Sequence, residues 1–371
     1  LNTALQLLNS ALLVRTRQNN AAYNQRALRF YQRLMQFTGP LMAKGVEDTL
    51  MYTNNRFIGH NEVGDSPLSF GLKPGDFHRL MLARQKNWPL SVNTTSTHDT
   101  KRGEDVRARL NVLTDIPQEW FELVQQWHSK HNGLKTDNAP DKNDEYFIYQ
   151  SLLGAYPMPQ ADTGDFSGRM QEYLLKALRE GKQNSDWAAP NQQYEEAVKK
   201  FITGLLADGS EFRQSFSGFH RRLSDYGIIN SLAQVVLKFT CPGIPDVYQG
   251  CELWDLSLVD PDNRRPVDYF LRGQYLQEEP GYDASFWQQL WADRYNGRIK
   301  LRLTQRLLNL RAAAPETFTQ ANYLPLTVTG RYKNNILAFA RQWGKTWYVV
   351  AVPLHLSALN ADGADPLKFD W

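Results

Sequence analysis

The segment SVNTTSTHDTKRGEDVRARL, which begins at Ser91, holds the first side chains that could do chemistry. His98 and Asp99 stand together, and Lys101 and Arg102 follow them. A carboxylate beside an imidazole can hold ligand hydroxyls, and nearby cations keep such an acid ionised. A second acidic pair, Glu47 and Asp48, follows Lys44 in LMAKGVEDTLMY. A third polar stretch runs through VYQGCELWDLSLVDPDNRRPVDY and carries Glu252, Asp260, Asp262, Asn263, Arg264 and Arg265. Tyr52, Tyr248 and Trp254 lie beside these elbows. Their rings suit stacking on sugars, and the alternative for each is a place in the core.

Other chemistries find less support. Asp99 or Thr100 could simply cap a helix. A metal reading would combine His98 and Asp99 with His60 or His78, but no H-E-x-x-H or comparable ligand spacing accompanies them, so no metal is expected. The sequence contains no G-x-x-x-x-G-K-[ST], no G-x-G-x-x-G and no G-x-S-x-G. Phosphate, dinucleotide and serine-nucleophile roles therefore lack a motif, and no cofactor is expected. The formal net charge of +3 comes from interspersed acids and bases, so no nucleic-acid partner is indicated. Two cysteines, Cys241 and Cys251, make neither a disulfide framework nor a zinc site, and they fit a reducing, cytoplasmic setting. No apolar run approaches the roughly 20 residues that span a bilayer, so no membrane partner is expected.

These groups need elements to position them. Residues 1–37 read as two helical stretches with Gly39-Pro40 as the stop. LMAKGVEDTLMY reads as a short apolar strand and a polar elbow, and PLSVNTTSTHD as the next strand, with Pro89 tolerated near its start. The segment after Asp99 turns helical, with Val106, Leu110 and Leu113 on one face. Residues 115–220 carry Trp120, Phe121, Trp127, Tyr146, Phe147 and Tyr149 at helical spacing. NSLAQVVLKFTCPGIPDVYQGCE gives a helix, a Pro-Gly break, a very short strand and another elbow. RIKLRLTQRLLNLRAAAP is an amphipathic helix that ends at Pro315. From about Leu324 the period becomes two, in LTVTG, NILAFARQW and TWYVVAVPL, as in antiparallel strands. Strand, elbow and helix recurring before a β-domain indicate an α/β chain, either a βα-barrel or a doubly wound sheet. Both architectures collect functional side chains just after the strands.

Taken together, the motifs resemble the α-amylase superfamily of glycoside hydrolases. TSTHDTKR is similar to the segment at the end of the seventh barrel strand, and PGIPDVYQGCE to the eighth-strand segment. With TGPLMAKGVEDTLMYTNNRFIGHNEVG and the long loop to VDY, the likeness narrows to the maltooligosyl trehalose synthase family, the (1→4)-α-D-glucan 1-α-D-glucosylmutases. The resemblance implies later segments of a (β/α)8 TIM-type barrel with a large helical insertion, followed by a C-terminal antiparallel β-domain. The expected divisions are 1–114 for a partial barrel, 115–220 for the insertion, 221–318 for the last barrel segments and 319–371 for an incomplete β-domain.

In that family the reducing-end α-1,4 bond of a maltooligosaccharide becomes an α,α-1,1 linkage, by retaining transfer to the glucose just released. The resemblance makes Asp99 the third catalytic carboxylate and His98 a sugar ligand. Lys44, Glu47, Asp48, Lys101, Arg102, Tyr52, Tyr248, Glu252 and Trp254 are the further substrate-binding candidates. The 260–265 loop either closes the acceptor side against water or forms a salt-bridge knot. The superfamily's nucleophile motif, G-x-R-x-D, and its acid/base glutamate do not precede Asp99 here. The chain is therefore expected to lack an N-terminal part of the same protein and to be inactive alone. The alternatives are an amylase-type hydrolase and a non-catalytic carbohydrate-binding chain.

Overall fold

Two helices, α1 (Asn2–Leu12) and α2 (Ala21–Pro40), open the fold in a computed structural model that describes residues 2–13, 15, 20–277, 283–359 and 366. Asn20 caps α2 by accepting the Tyr23 amide. The expected stop at Gly39-Pro40 does not occur. Winding continues through a π-helical segment, Leu41–Leu50, and a last turn, α3 (Met51–Thr53). Pro40 has no N–H to give the preceding turn, and the helix loosens to five-residue spacing directly after it. The strand expected in LMAKGVEDTLMY is thus a helix. Leu, Met, Ala, Lys and Glu are good helix formers, and a short apolar run alone does not distinguish strand from helix.

A 3₁₀ turn at Ile58–His60 and α4 (Pro74–Asn87) lead to β1 (Val92–Asn93). The strand expected to reach Asp99 is two residues long. It pairs in parallel with β2 (Ile244–Pro245), Val92 opposite Ile244 and Asn93 opposite Pro245. The outward side chains of this pair are open, with Val92 61% and Ile244 46% exposed. Gly243 makes the close approach to β1 feasible. It has φ +129°, and a Cβ there would sit 2.6 Å from the Ser91 carbonyl oxygen. Gly243→Ala is therefore expected to cost at least about 2 kcal/mol in denaturant unfolding, from strained backbone and collision together.

The helical body comprises α5 (Glu104–Asn111), α6 (Pro117–His131), α7 (Lys142–Ala155), α8 (Phe166–Gly181), α9 (Gln192–Leu206) and α10 (Glu211–Thr240). Trp120, Trp127, Phe147 and Tyr149 share one core with Val106 and Leu110 of α5 and with Phe201, Phe212 and Phe216. Phe121 remains exposed. The expected division at 220/221 falls inside α10, which runs unbroken for 30 residues. The 115–220 helices pack directly on α5 rather than standing apart.

After β2 come α11 (Tyr269–Gln277), α12 (Ala284–Ala292), α13 (Arg298–Ala313) and α14 (Pro315–Thr319). An antiparallel sheet follows, in the order β3 (Asn322–Pro325), β4 (Ile336–Trp343), β5 (Thr346–Pro353), and then α15 (Leu356–Leu359). NILAFARQW and TWYVVAVPL are the expected strands. LTVTG is not a strand; the ladder ends at Pro325, opposite Phe339, with one further bond from the Leu326 amide to the Ala338 carbonyl at 3.1 Å. Tyr323, Phe339 and Val350 of the sheet pack with Met81 of α4 and with Cys241. Apart from Pro366, the terminal DPLKFDW lies outside the described residues. No helix among the described residues is long and apolar enough to cross a membrane.

Candidate functional site

His98 and Asp99 form an exposed turn between β1 and α5, beyond the end of the strand. Neither Asp99 nor Thr100 caps the helix. α5 starts after Gly103 with no side-chain cap at that residue, and the Glu104 amide donates to Ser96 Oγ at 3.0 Å. The turn is fastened from several sides. Thr97 accepts the Asp99 amide on its hydroxyl at 3.2 Å and the Thr100 hydroxyl on its carbonyl at 2.9 Å. Asn263 Nδ2 donates to the His98 carbonyl at 3.0 Å. The Gly103 amide donates to the Ser257 carbonyl at 2.8 Å, and Arg102 bridges to Leu258. A Cβ at Gly103 would stand 2.6 Å from the Asp255 carbonyl oxygen, so the two elbows touch through backbone.

The helical segment 41–53 supplies the neighbouring charges. Asp48 pairs with Lys101 Nζ at 2.8 Å and with Lys44 Nζ. Burial pushes the Asp48 carboxyl up, but hydrogen bonds and charge from Lys101 and Lys44 outweigh it and hold the group below its usual value. Glu47 goes the other way. Burial raises it, Asp99, Asp48 and Glu62 add repulsion, and Lys101 only partly offsets them. The Lys44 amine is raised, by its bond to Asp48 first and by the more distant charges of Glu180 and Asp99 last. Asp99, Lys44, Glu47 and Asp48 thus lie within electrostatic reach of one another, and Lys101, which pairs with Asp48, is buried.

The other candidates sit differently. Arg102 is buried, and its guanidinium donates to the Asn61 carbonyl at 3.1 Å and to Tyr173 Oη at 3.0 Å. Tyr52 is buried in the core, with Lys101 Nζ 5.9 Å from its ring centre. Neither presents a face to solvent, because both join the elbow to the helical body. Trp254 is half-buried, donates to the Arg294 carbonyl at 2.8 Å and lies beneath Lys300 Nζ at 5.7 Å. Tyr248 is half-buried. Glu252 is paired with Arg272 Nε at 2.9 Å. His60 bonds to Asp65, and His78 to Tyr323 Oη, both at 2.8 Å. In the 260–265 loop, Asp262 takes both forks of Arg169 at 2.7 and 2.8 Å, and Asp260 pairs with Lys176 at 2.9 Å. The salt-bridge knot is therefore formed, against α8.

Two groups had no place in the sequence reading. One is Glu62, whose buried carboxylate accepts the backbone amides of Lys101 and Arg102. The other is a buried charge cluster behind the elbow. Lys300 Nζ lies 2.7 Å from both Glu104 and Asp105, and Lys238 Nζ lies 3.4 Å from Glu104. Asp105 also accepts the Asp255 amide at 2.6 Å, and Lys238 donates to Thr95 Oγ1 at 2.9 Å. Burial raises the Glu104 carboxyl, but Lys300 and Lys238 outweigh it and bring the group to about 2. One signal for Lys300 was legible: it shares a helix face with Leu303 and Leu307, and a cation on an apolar stripe calls for a buried partner. Glu62, in GHNEVG, carries no comparable periodic signal.

No protein-family profile matches the chain. Two Mycobacterium tuberculosis proteins, from strains H37Rv and CDC 1551, provisionally named maltooligosyl trehalose synthase, are each 36% identical to it over 311 residues, 83% of this chain. A Sulfolobus tokodaii structure described as a hypothetical maltooligosyl trehalose synthase covers 91% of the chain at 32% identity and TM-score 0.76. The maltooligosyltrehalose synthase of Arthrobacter ramosus covers 89% at 32% identity and TM-score 0.74. Sequence and fold comparisons agree on one family, and the chain is a homologue of the proteins named maltooligosyl trehalose synthase. It spans 37% of the length of the curated relatives and 46% and 40% of those two solved chains.

Proposed function

We propose that this chain belongs to a glucan 1-α-glucosylmutase, an isomerase acting by intramolecular glycosyl transfer. In this reading the complete protein converts the reducing-end α-1,4 bond of a maltooligosaccharide into an α,α-1,1 trehalose linkage, with retention, in the cytoplasm. The observation that carries the reading is an exposed His98–Asp99 turn fastened on both flanks and set beside Lys44, Glu47 and Asp48. Asp99 would accept hydrogen bonds from sugar hydroxyls. Those bonds strengthen as positive charge develops on the sugar in the oxocarbenium-like transition state. His98 would hold a neighbouring hydroxyl, the buried Lys101 would keep Asp48 ionised, and the exposed Lys44 would donate to the glucan. Tyr248, Trp254 and Glu252 would line the second elbow; Arg102 and Tyr52 would act from beneath, through the position of Lys101.

A retaining transfer also needs a nucleophile and an acid/base about 5–5.5 Å apart. Their motifs are absent from the 371 residues, so we assign them to a further part of the same protein. The parallel pairing of β1 with β2 supports these strands as neighbours in a (β/α)8 barrel. On that basis the segments carrying β1 and β2 are its later parts, α6 to α9 are an insertion packed on them, and β3 to β5 form a β-domain.

The test compares the 371-residue chain with the longer protein, both incubated with maltopentaose and the products resolved by chromatography. The longer protein is expected to form trehalose-terminated product and the chain alone none. Product from the chain alone at within about tenfold of an ordinary enzyme's kcat, roughly 1–10³ s⁻¹, would place the nucleophile among Glu47, Asp48 and Glu252. Free glucose or maltose without trehalose ends, formed by the longer protein, would favour a hydrolase.

A further inference from the structure

We propose that Glu62 is a positioning residue for Asp99, an inference that rests on the functional reading above. Its side chain is only 4% exposed. Oε1 accepts the Lys101 amide at 2.7 Å and the Val63 amide at 2.8 Å. Oε2 accepts the Arg102 amide at 3.0 Å and lies 3.6 Å from Arg107 Nε. One carboxylate thus grips two successive amides, two and three residues downstream of Asp99. Charge-assisted bonds of this kind are roughly twice as strong as neutral ones.

The grip is also tied to the rest of the site. Asn61 Nδ2 donates to the Met51 carbonyl at 2.8 Å and to the Asn54 carbonyl at 2.9 Å, which fixes the 58–63 turn to the end of the 41–53 helical segment. That segment carries Lys44, Glu47 and Asp48. The side chains of Lys101 and Arg102 return to it, through Asp48 and through Asn61. Glu62 therefore sets the spacing between Asp99 and the charges opposite. Arg107 does not depend on Glu62 alone, because it also donates to the Arg102 and Thr95 carbonyls. The bonds that only Glu62 supplies are those to the elbow backbone. A displacement of about 1 Å at a reacting group can cost about 10²-fold in rate.

The experiment uses Glu62→Gln in the longer protein that carries this chain. The carboxamide keeps one acceptor and turns an N–H toward the other amide. Turnover is expected to fall about 30- to 100-fold, with KM changed less than about threefold. Hydrogen exchange at the Lys101 and Arg102 amides should accelerate at least about tenfold, while Val106–Leu110 of α5 stays protected. Glu62→Asp keeps the charge beside Arg107 with a shorter reach, and should give the same pattern more mildly. Glu62→Gln added to Asp99→Asn should cause no further loss, since Glu62 acts through Asp99. A multiplied loss in that double variant, or unchanged turnover with the two amides freed, would overturn the role of Glu62 and leave that of Asp99 standing. An active Asp99→Asn variant would instead sink the functional reading, and this role of Glu62 with it.

Discussion

Asp99→Asn in the longer protein is expected to lower turnover by about 10²–10³-fold, the range seen when one transition-state-stabilising group is removed. The melting temperature should move by no more than about 2 °C, because an exposed turn residue contributes little to folding. Asp99 is exposed, and the bonds that fasten its turn run through backbone and through other side chains. The amide keeps the shape and removes the charge. On the proposed function its effect should appear in kcat more than in KM, since the bonds assigned to Asp99 there would strengthen only as the sugar acquires positive charge. Steady-state kinetics on maltooligosaccharides, beside calorimetry on the same preparations, decides the matter. A large fall in melting temperature with unchanged activity per folded molecule would make the residue structural.

The second large effect falls on stability. Lys300→Met should cost about 3–5 kcal/mol, as does removal of one partner from a buried ion pair, because Glu104 and Asp105 would share a buried site with only Lys238 beside Glu104. The acid dependence follows from the direction of each shift. The Glu104 carboxyl is lowered from 4.5 to about 2, so its contribution is present above 4.5 and is lost as pH falls toward 2. Lys300 is raised, because the attraction of Asp105 and Glu104 outweighs burial, so its contribution holds below its ordinary value and fades only at strongly alkaline pH. Asp105 is raised by burial and by Glu104, and works against the pair at neutral pH. Denaturant unfolding of the native chain should therefore weaken on acidification from 4.5 toward 2, and the Lys300→Met variant should show a flatter acid limb.

Much of this was legible in the sequence where a pattern repeats along the chain. The aromatic spacing of α6 and α7 and the alternation in β4 and β5 each reflect a local period, and both gave the observed element. LMAKGVEDTLMY was misread because its apolar run is too short to carry a period, and Pro40 signals a stop that a π-helical turn absorbs. The His98–Asp99 pair was legible from residue type. What holds it was not. Glu62 reaches across 39 residues to Lys101, and Lys300 across 195 to Asp105, and no spacing rule links positions so far apart. Arg102 and Tyr52 read as ligand candidates, Tyr52 with the core as its alternative, because buried neighbours such as Tyr173, 71 residues beyond Arg102, leave no local pattern.

That separation of 195 residues also bears on how the chain matures during synthesis. Glu104 and Asp105 leave the ribosome long before Lys300, and until α13 emerges the pair has only Lys238, beside Glu104, to offset its charge. The hairpins of α6 to α10 can collapse early, on contacts close in sequence, while the elbow they surround stays open. The turn bearing His98 and Asp99 is therefore expected to become rigid late, and translation arrested before Lys300 would leave a packed helical body around an unfinished elbow.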